Sequence, residues 1–535
     1  EVITPALWSP DHPVLHELQV TVKGADGRTL DARVVRCGLR RIGFSRSGGF
    51  TINGRRYRLR GTNRHQEHPC VGYAVPAIAE RRDAIRIKAA GFDYVRLSHY
   101  PQAPAFLDAC DELGIVVMNA IPGWQFIGGE PFRRECRQAA RDLIRRDRNH
   151  PCIVLWELSL NETAMDQEFM EQMQALGHEE YPGDQMFTCG WIDRFDVFIH
   201  SRQHGGVHRW SNGDKALVVA EYGDWEFYAS NEGFDQKSGA GVLAAWASSR
   251  QFRGDGERAL LQQAWNHVFA ANDCLSSSAV LDGQWAMFDY ARGYAPKRAG
   301  VGLMDSFRVP KFSYYFYRSQ RHPGEPGGSG LADPMVFIAS YWTPESDRRV
   351  TVFSNCEQVE LHLNGRSIGR QGAKPAWLSQ YLPHPPFVFD VAQFEAGLLE
   401  AKGIVADQVV CTHRVRTPGA AAELGLWADW QGLQSSHDQP DVLFVHAELR
   451  DAHGTRCVGE GGSVEFEAQG AEVVGPALTA FEAGIASTVI RLAAGGADCR
   501  VSVLESATGR RANIVLRTAV IDAAPVPALA LETNR

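Results

Sequence analysis

Short apolar runs alternate with longer amphipathic stretches between residues 48 and 320. The apolar runs have the length and continuity of strands that are buried on both faces of a parallel sheet. We predict strands over residues 57–63, 94–98, 115–119, 153–160, 185–189, 196–200, 217–221 and 279–285. The amphipathic stretches predict helices over residues 78–90, 105–113, 132–145, 165–176 and 258–272. This alternation, over about 270 residues, predicts a (β/α)8 TIM barrel.

Strands of a different kind flank the predicted barrel. Residues 15–22 and 31–35 alternate between apolar and polar side chains on either side of a Gly/Asp turn, which predicts a hairpin and the last part of a β-sandwich. A segment rich in Pro and Gly at 321–331 predicts a linker, and short alternating strands follow it. The predicted fold is therefore multidomain α/β plus all-β. The predicted domains are 1–47, 48–322, 332–418 and 422–535.

Composition and charge exclude several classes of partner. The net charge of -8 and the pI of about 6.2 argue against nucleic-acid binding, which needs a basic surface. The arginine pairs at 81–82, 133–134 and 145–146 lie on predicted helices, and we interpret them as solvated faces. No apolar run reaches the ~20 residues that cross a bilayer, so we expect no membrane partner.

The cysteines and the beginning of the chain leave localisation open. The 11 cysteines are scattered without CxxC spacing, so we predict neither a disulfide framework nor a zinc site. The chain starts abruptly at Glu1 in what reads as the middle of a domain, and we expect further sequence to precede it. A periplasmic or secreted protein and a cytoplasmic one are both compatible with this sequence.

Two of the predicted strands end in carboxylates. The fourth runs into Asn161 and Glu162, and the seventh ends at Glu221. Catalytic residues of TIM barrels project from the carboxyl ends of the strands, so both acids would face one pocket. Alternatively, each acid could cap the helix that follows its strand. A carboxylate pair is what glycosidic bond cleavage requires, with retention at a separation of about 5–5.5 Å and inversion at about 6.5–9.5 Å.

Five blocks of sequence, in this order, resemble glycoside hydrolase family 2, which includes β-galactosidases, β-glucuronidases and β-mannosidases. The blocks are residues 8–11 with 37–42, 60–69, 95–101 with 110–115, 146–151 leading into Asn161 and Glu162, and 221–223. The resemblance extends to about residue 320 and more loosely to the end of the chain. It implies a central catalytic TIM barrel flanked by immunoglobulin-like β-sandwich domains.

The resemblance also implies roles for individual residues. Glu162 would be the general acid/base and Glu221 the nucleophile, while Asn161 would bind the 2-hydroxyl of the sugar. His65 and His99 would bind sugar hydroxyls, although each could instead be a structural histidine. Trp285 would be the platform under the sugar ring, although it could belong to the core. The remaining predicted substrate-binding residues are Trp124, Arg292, Gln203 and His204.

Three departures from the family pattern qualify this interpretation. Residues 120–125 lack the acids that bind magnesium in some β-galactosidases, so we predict no metal and no cofactor. The Asn-x-Lys of glucuronidases is absent near 294–298, which disfavours a uronic acid, although Arg292 and Lys297 keep that substrate open. Gln203 or His204 stands where the family has a tyrosine that contacts the nucleophile.

The sequence predicts a retaining exo-β-glycosidase that is similar to β-galactosidases and acts on a carbohydrate. The alternatives are a catalytically impaired carbohydrate-binding homologue and an active glycosidase of the β-glucuronidase or β-mannosidase type. Whether the protein forms a homo-oligomer stays open.

Overall fold

A computed structural model describes residues 4–183, 187–190, 194–200, 215–224, 248–292, 298–324, 333–435, 438–495 and 498–517. Within these ranges an eight-stranded parallel sheet lies between smaller antiparallel sheets. The ranges contain no helix with both the length and the apolar character that crossing a bilayer requires.

Two antiparallel sheets precede the barrel. The predicted hairpin is β1 (His16–Lys23) and β2 (Thr29–Cys37), and the next sheet is β3 (Ile42–Ser45), β4 (Gly49–Ile52) and β5 (Arg55–Tyr57). β3 pairs with β4 across the turn at residues 46–48. Upstream of the hairpin, the Trp8 side chain is fully buried, and its Nε1 donates a hydrogen bond to the carbonyl of Asp111 at 2.8 Å.

The predicted TIM barrel is confirmed. Its strands are β6 (Leu59–Arg64), β7 (Tyr94–Leu97), β8 (Val116–Ala120), β9 (Ile153–Glu157), β10 (Phe187–Thr188), β11 (Val197–His200), β12 (Ala216–Tyr222) and β13 (Leu281–Gln284). Every neighbouring pair in the order β10-β9-β8-β7-β6-β13-β12-β11 is parallel. At the seam between β10 and β11, the Thr188 hydroxyl donates to the carbonyl of Val197 at 3.0 Å, so the barrel is nearly closed.

Helices pack around these strands. They are α1 (Ala77–Ala89), α2 (Pro104–Leu113), α3 (Glu130–Asp147), α4 (Gln167–Glu180), α5 (Glu257–Ser276) and α6 (Phe312–Arg318), and a short 3-10 helix at Arg253–Asp255 precedes α5. α2 begins with proline and ends at Gly114, whose φ of 66° places it in the left-handed region that terminates helices. The sequence did not predict α6, because most of its side chains are buried and no polar face marks it.

Two further β-sandwiches follow the barrel. The first contains β14 (Val336–Ile338), β15 (Arg349–Ser354), β16 (Gln358–Leu363), β17 (Arg366–Gly372), β18 (Phe387–Asp390), β19 (Leu398–Val405) and β20 (Gln408–Arg416). The second contains β21 (Ala421–Ala428), β22 (Asp441–Asp451), β23 (Ser463–Gln469), β24 (Glu472–Val473), β25 (Leu478–Ala480), β26 (Ile485–Leu492), β27 (Cys499–Glu505) and β28 (Arg511–Leu516). Each is built of two antiparallel sheets around its own apolar core.

Buried ion pairs join α1 to the second sandwich. Arg82 donates to both carboxylate oxygens of Asp441 at 2.8 and 2.7 Å, and Arg86 donates to Asp429 at 2.8 Å. These side chains are at most 7% exposed. The prediction that the arginine pair at 81–82 forms a solvated face is therefore wrong for Arg82. The sequence could not show it, because the partner acid lies more than 300 residues further along the chain.

On the barrel side of this contact, the carboxylate of Asp83 binds three arginines. Asp83 accepts hydrogen bonds from Arg64 at 2.8 Å, Arg86 at 3.0 Å and Arg308 at 3.0 Å. Burial raises the pKa of Asp83, but the surrounding guanidinium groups hold it well below its usual value. Asp83 therefore stays ionised and links β6, α1 and the segment before α6.

We expect Asp441→Asn to lower the free energy of unfolding by about 3–5 kcal/mol, because it leaves the buried Arg82 without its counter-charge. The measurement is urea denaturation followed by circular dichroism. Asp407→Asn is the matched control, since Asp407 also pairs with an arginine but its side chain is 85% exposed. That control should cost no more than about 1 kcal/mol. Equal effects of the two changes would contradict a stabilising role of the buried pair.

Candidate active site

A cavity of about 560 Å³ opens at the carboxyl ends of the barrel strands. Its lining includes eight of the predicted site residues, namely His65, His99, Trp124, Asn161, Glu162, Glu221, Trp285 and Arg292. Two others, Gln203 and His204, lie outside the residues that the structure describes. Parallel strands that end at one rim bring residues from six separate segments of the chain into this one cavity.

A buried arginine underlies the cavity. Arg96 of β7 is fully buried and donates to both oxygens of Glu157, at 2.9 and 3.0 Å, and to Glu221 Oε1 at 2.7 Å. It also donates to the side-chain oxygens of Asn161 at 2.9 Å and Asn63 at 3.2 Å. Burial lowers the pKa of Arg96, but Glu157 and Glu221 together raise it above its usual value. The guanidinium therefore stays charged and favours the ionised form of Glu221.

Sequence reasoning missed Arg96, although the sequence holds a signal for it. The residue stands in the middle of a strand that was predicted to be buried on both faces. Arginine is almost never fully buried unless it is paired, so such a position implies carboxylates nearby.

Asn161 and His99 converge on Glu221. The Asn161 side-chain oxygen faces Arg96, and its Nδ2 lies 3.3 Å from Nε2 of His99. The same His99 nitrogen lies 3.8 Å from Glu221 Oε1. Because Arg96 donates to the side-chain oxygen of Asn161, the side-chain NH2 group of Asn161 must point the other way, towards His99.

The loop after β8 holds Glu162 in place. Trp124 Nε1 and Gln125 Nε2 donate to Glu162 Oε2 at 2.9 and 2.7 Å. Glu162 has a φ of 50°, in the left-handed region that non-glycine residues seldom adopt. It does not cap the following helix, because Asp166 is the N-cap of α4 and accepts from the amide of Phe169.

Backbone hydrogen bonds also join the loop after β8 to the loop after β9. Asn161 N donates to the carbonyl of Gly123 at 3.0 Å, and Gln125 N donates to the carbonyl of Asn161 at 2.9 Å. Gly123 has a φ of 153°, and a Cβ on it would lie 2.3 Å from Leu160 Cδ2. Glycine is therefore required where the two loops approach each other.

Aromatic rings form one wall of the cavity. The rings of His99 and Trp285 stack with 8° between their planes, and His65 stacks on Tyr290 at 4.2 Å between ring centres. Burial, and the positive charges of Arg96 and Arg64, lower the pKa of His65 to about 3. His65 is therefore a neutral imidazole near neutral pH.

An ion pair that the sequence did not predict also lines the cavity. Asp224 follows Glu221 by three residues, and Arg250 donates to its two oxygens at 2.9 and 2.7 Å. Together the described lining contains four carboxylates, Glu67, Glu162, Glu221 and Asp224, and two guanidinium groups, Arg250 and Arg292. The described part of the cavity wall therefore has an excess of negative charge.

A second cluster of acids and histidine lies elsewhere. Asp108, Asp111 and His150 have ligand atoms within 4.8 Å of one another, on α2 and the turn before β9. They are not lining residues of the cavity, and they already bond to protein groups, Asp108 to Arg36 at 3.0 Å and Asp111 to His150 at 2.6 Å. They therefore give no indication of a metal at the cavity.

Comparisons with known proteins identify related sequences. Residues 1–40 match a family profile described as glycosyl hydrolases family 2, and residues 45–182 match the profile of that family's TIM barrel domain. Residues 346–411 match a domain of unknown function, DUF4982.

Two curated relatives and one solved structure illustrate the similarity. A β-galactosidase from Thermoanaerobacter pseudethanolicus is 33% identical over 514 residues, which cover 91% of this chain and 65% of the relative. A putative β-glucuronidase from Formosa agariphila is 29% identical over 415 residues, which cover 68% of this chain and 48% of the relative. The chain thus spans less than two thirds of either relative. A β-glycosidase structure from Bacteroides vulgatus has a TM-score of 0.76 at 21% identity, covering 96% of this chain and 71% of its own.

We expect the buried His65 to make the free energy of unfolding fall as the pH is lowered below neutral. Below about pH 6.5 the unfolded chain binds a proton at this histidine, whereas the folded chain does not until the pH falls to about 3. Stability contributed by the neutral ring is therefore lost as the pH falls through 6.5. Between about pH 7 and pH 5 the unmodified protein should lose about 2 kcal/mol more unfolding free energy than His65→Gln.

The measurement is urea denaturation at both pH values. His453→Gln, at an exposed position of the second sandwich, is the control and should follow the unmodified protein. The interpretation fails if His65→Gln and the control lose the same free energy.

Proposed function

The chain belongs to glycoside hydrolase family 2, and on this premise we propose that it is a retaining exo-β-glycosidase that acts on neutral sugars and resembles β-galactosidases. One observation carries the proposal: Glu162, in the loop beyond β9, and Glu221, near the end of β12, line the same cavity. Family membership supplies the reaction class, and this pair of acids supplies the groups that the reaction needs.

In this proposal the reaction proceeds by double displacement. Glu221 attacks the anomeric carbon of the sugar while Glu162 gives its proton to the departing oxygen, which breaks the glycosidic bond. Glu162, now a carboxylate, then takes a proton from water, and the resulting hydroxyl displaces Glu221 from the sugar. The product has the configuration of the substrate, because the anomeric carbon is inverted twice.

The surroundings of the two acids support different roles for them. Glu221 accepts from the buried Arg96 at 2.7 Å, which stabilises the ionised form that a nucleophile needs. Glu162 Oε2 accepts hydrogen bonds from the side chains of Trp124 and Gln125, which fix the orientation of this carboxyl group in the cavity. A carboxyl group held in one orientation at the cavity wall suits an acid/base, which must lie within hydrogen-bond reach of the departing oxygen.

Charge on the cavity wall favours a neutral sugar. A hexuronate would bring its own carboxylate into a wall with four acids and two arginines. Arg250 already has a close counter-ion in Asp224, so it offers a neutral pair to the ligand. A β-glucuronidase is the second candidate, because Arg250 and Arg292 are both lining residues and one relative carries that name.

We expect Glu221→Gln to reduce kcat on nitrophenyl β-galactoside by at least about 10⁴-fold, since it removes the nucleophile. Glu162→Ala should lose much less activity on a dinitrophenyl glycoside, whose leaving group needs no proton, than on a methyl glycoside. Glu168→Gln, on the exposed face of α4, is the control and should keep full activity.

The stereochemical outcome is followed by proton NMR of the product during hydrolysis by the unmodified protein. The β-anomer should form first and then mutarotate. Initial formation of the α-anomer, or an unchanged rate in Glu221→Gln, would contradict the proposal. Binding of galactosides without turnover by the unmodified protein would favour the impaired carbohydrate-binding homologue.

We expect the unmodified protein to prefer nitrophenyl β-galactoside to nitrophenyl β-glucuronide in kcat/KM. Asp224→Asn removes one negative charge from the cavity wall beside Arg250, so it should raise the glucuronide-to-galactoside ratio at least about tenfold. Asp142→Asn, on the exposed face of α3, should leave the ratio unchanged. A preference for glucuronide in the unmodified protein would support the second candidate instead.

A further inference from the structure

Two cysteine thiols meet in the first sandwich, far along the chain from the residues of the cavity. Cys356 lies in the connection between β15 and β16, and Cys411 lies in β20. Their sulfur atoms are 3.6 Å apart although 55 residues separate them in the sequence. Cys356 is buried, whereas Cys411 is partly exposed.

A glycine makes room for both sulfurs. Gly403 of β19 pairs with Cys411 on one side and with Val359 of β16 on the other. A Cβ on Gly403 would lie 2.5 Å from the sulfur of Cys411 and 2.6 Å from that of Cys356. The two thiols therefore occupy the space that any other residue at position 403 would fill.

The surroundings of Cys356 favour its reaction. Its amide donates to the Ser354 hydroxyl at 3.1 Å, and its thiol points to the carbonyl of Met335 at 3.8 Å. The hydrogen bond from Cys411 lowers the pKa of Cys356 to about 7, against burial, which raises it. The contact with Cys411 thus favours the thiolate of Cys356, which is the reactive form.

We propose that Cys356 and Cys411 are a reversible redox pair that forms a disulfide when the protein meets a peroxide. The cross-link would tie the connection between β15 and β16 to β20. It closes a loop of the unfolded chain and so stabilises the sandwich against unfolding. The proposal is independent of the glycosidase assignment.

The chemistry balances with hydrogen peroxide as the oxidant. The Cys356 thiolate attacks one peroxide oxygen, so that an S–O bond forms, the O–O bond breaks and hydroxide leaves. Cys411 sulfur then attacks the Cys356 sulfenic acid. The S–S bond forms, the S–O bond breaks, and water leaves with the proton of Cys411. In total two thiols and one peroxide give one disulfide and two waters.

The contact requires only a small movement of the side chains. A disulfide brings its sulfurs to about 2.05 Å, so the two atoms must approach by about 1.5 Å. Rotation about the side-chain bonds of Cys411, which is partly exposed on β20, can supply such a movement without a change in strand register.

The test treats the full chain with hydrogen peroxide, blocks the remaining thiols by alkylation, and digests it with trypsin. Mass spectrometry should find residues 350–366 linked to residues 403–414, two hydrogen atoms lighter than the sum of the reduced peptides. Dithiothreitol should abolish this species. Overoxidation of Cys356 to sulfinic acid without the linked peptide would overturn the proposal.

Stability supplies the second measurement. The oxidised protein should unfold at a midpoint about 3 °C or more above that of the reduced protein. Cys411→Ser should show no such difference, whereas Cys70→Ser, at an exposed cysteine, should keep it. A linked peptide without any change in midpoint would refute the stabilising part of the proposal. The wild-type digest decides the cross-link even if Cys411→Ser does not fold.

Discussion

The buried guanidinium of Arg96 is the interaction on which the candidate site depends. It bonds to Glu157 at the end of β9, to Glu221 near the end of β12, and to Asn161 in the loop beyond β9. Three strands of the barrel are thereby held in register at the rim where the cavity opens. A buried cation of this kind is stable only while its carboxylates remain ionised and in place. The hydrogen bonds of Arg96 therefore both hold the barrel strands together and position Glu221, the proposed nucleophile.

The barrel was predictable because its strands follow the simplest rule of burial. A strand covered on both faces is mainly apolar, as β7, β8, β9, β11 and β12 are. The fifth strand, β10, is the shortest, with two residues, and side-chain bonds rather than a ladder close the seam beside it. Such closure leaves no periodic pattern in the sequence, so the sequence alone could not show how the barrel closes here.

The site was predictable only in part. Glu162 and Glu221 could be placed because each ends an apolar run, and the order of the motifs suggested their roles. Arg250 could not be placed, since it reaches the cavity from 26 residues beyond Asp224 and no local pattern marks it. Gln125 was overlooked for a related reason, because its importance arises from a left-handed turn that brings two loops together. Contacts between loops are set by tertiary structure, and periodicity does not describe them.

The ion pairs between α1 and the second sandwich affect whether the barrel could be separated from the domains that follow it. The Pro/Gly-rich segment at 321–331 looks like a place to cut the chain, but the barrel and the second sandwich share buried charges across it. A barrel severed there would expose Arg82 without Asp441 and Arg86 without Asp429, beside an Asp83 that still binds Arg64 and Arg86. The C-terminal sandwich thus supplies the counter-charges for buried arginines of the barrel. The order of the domains along the chain is therefore a poor guide to which of them can evolve or be exchanged separately.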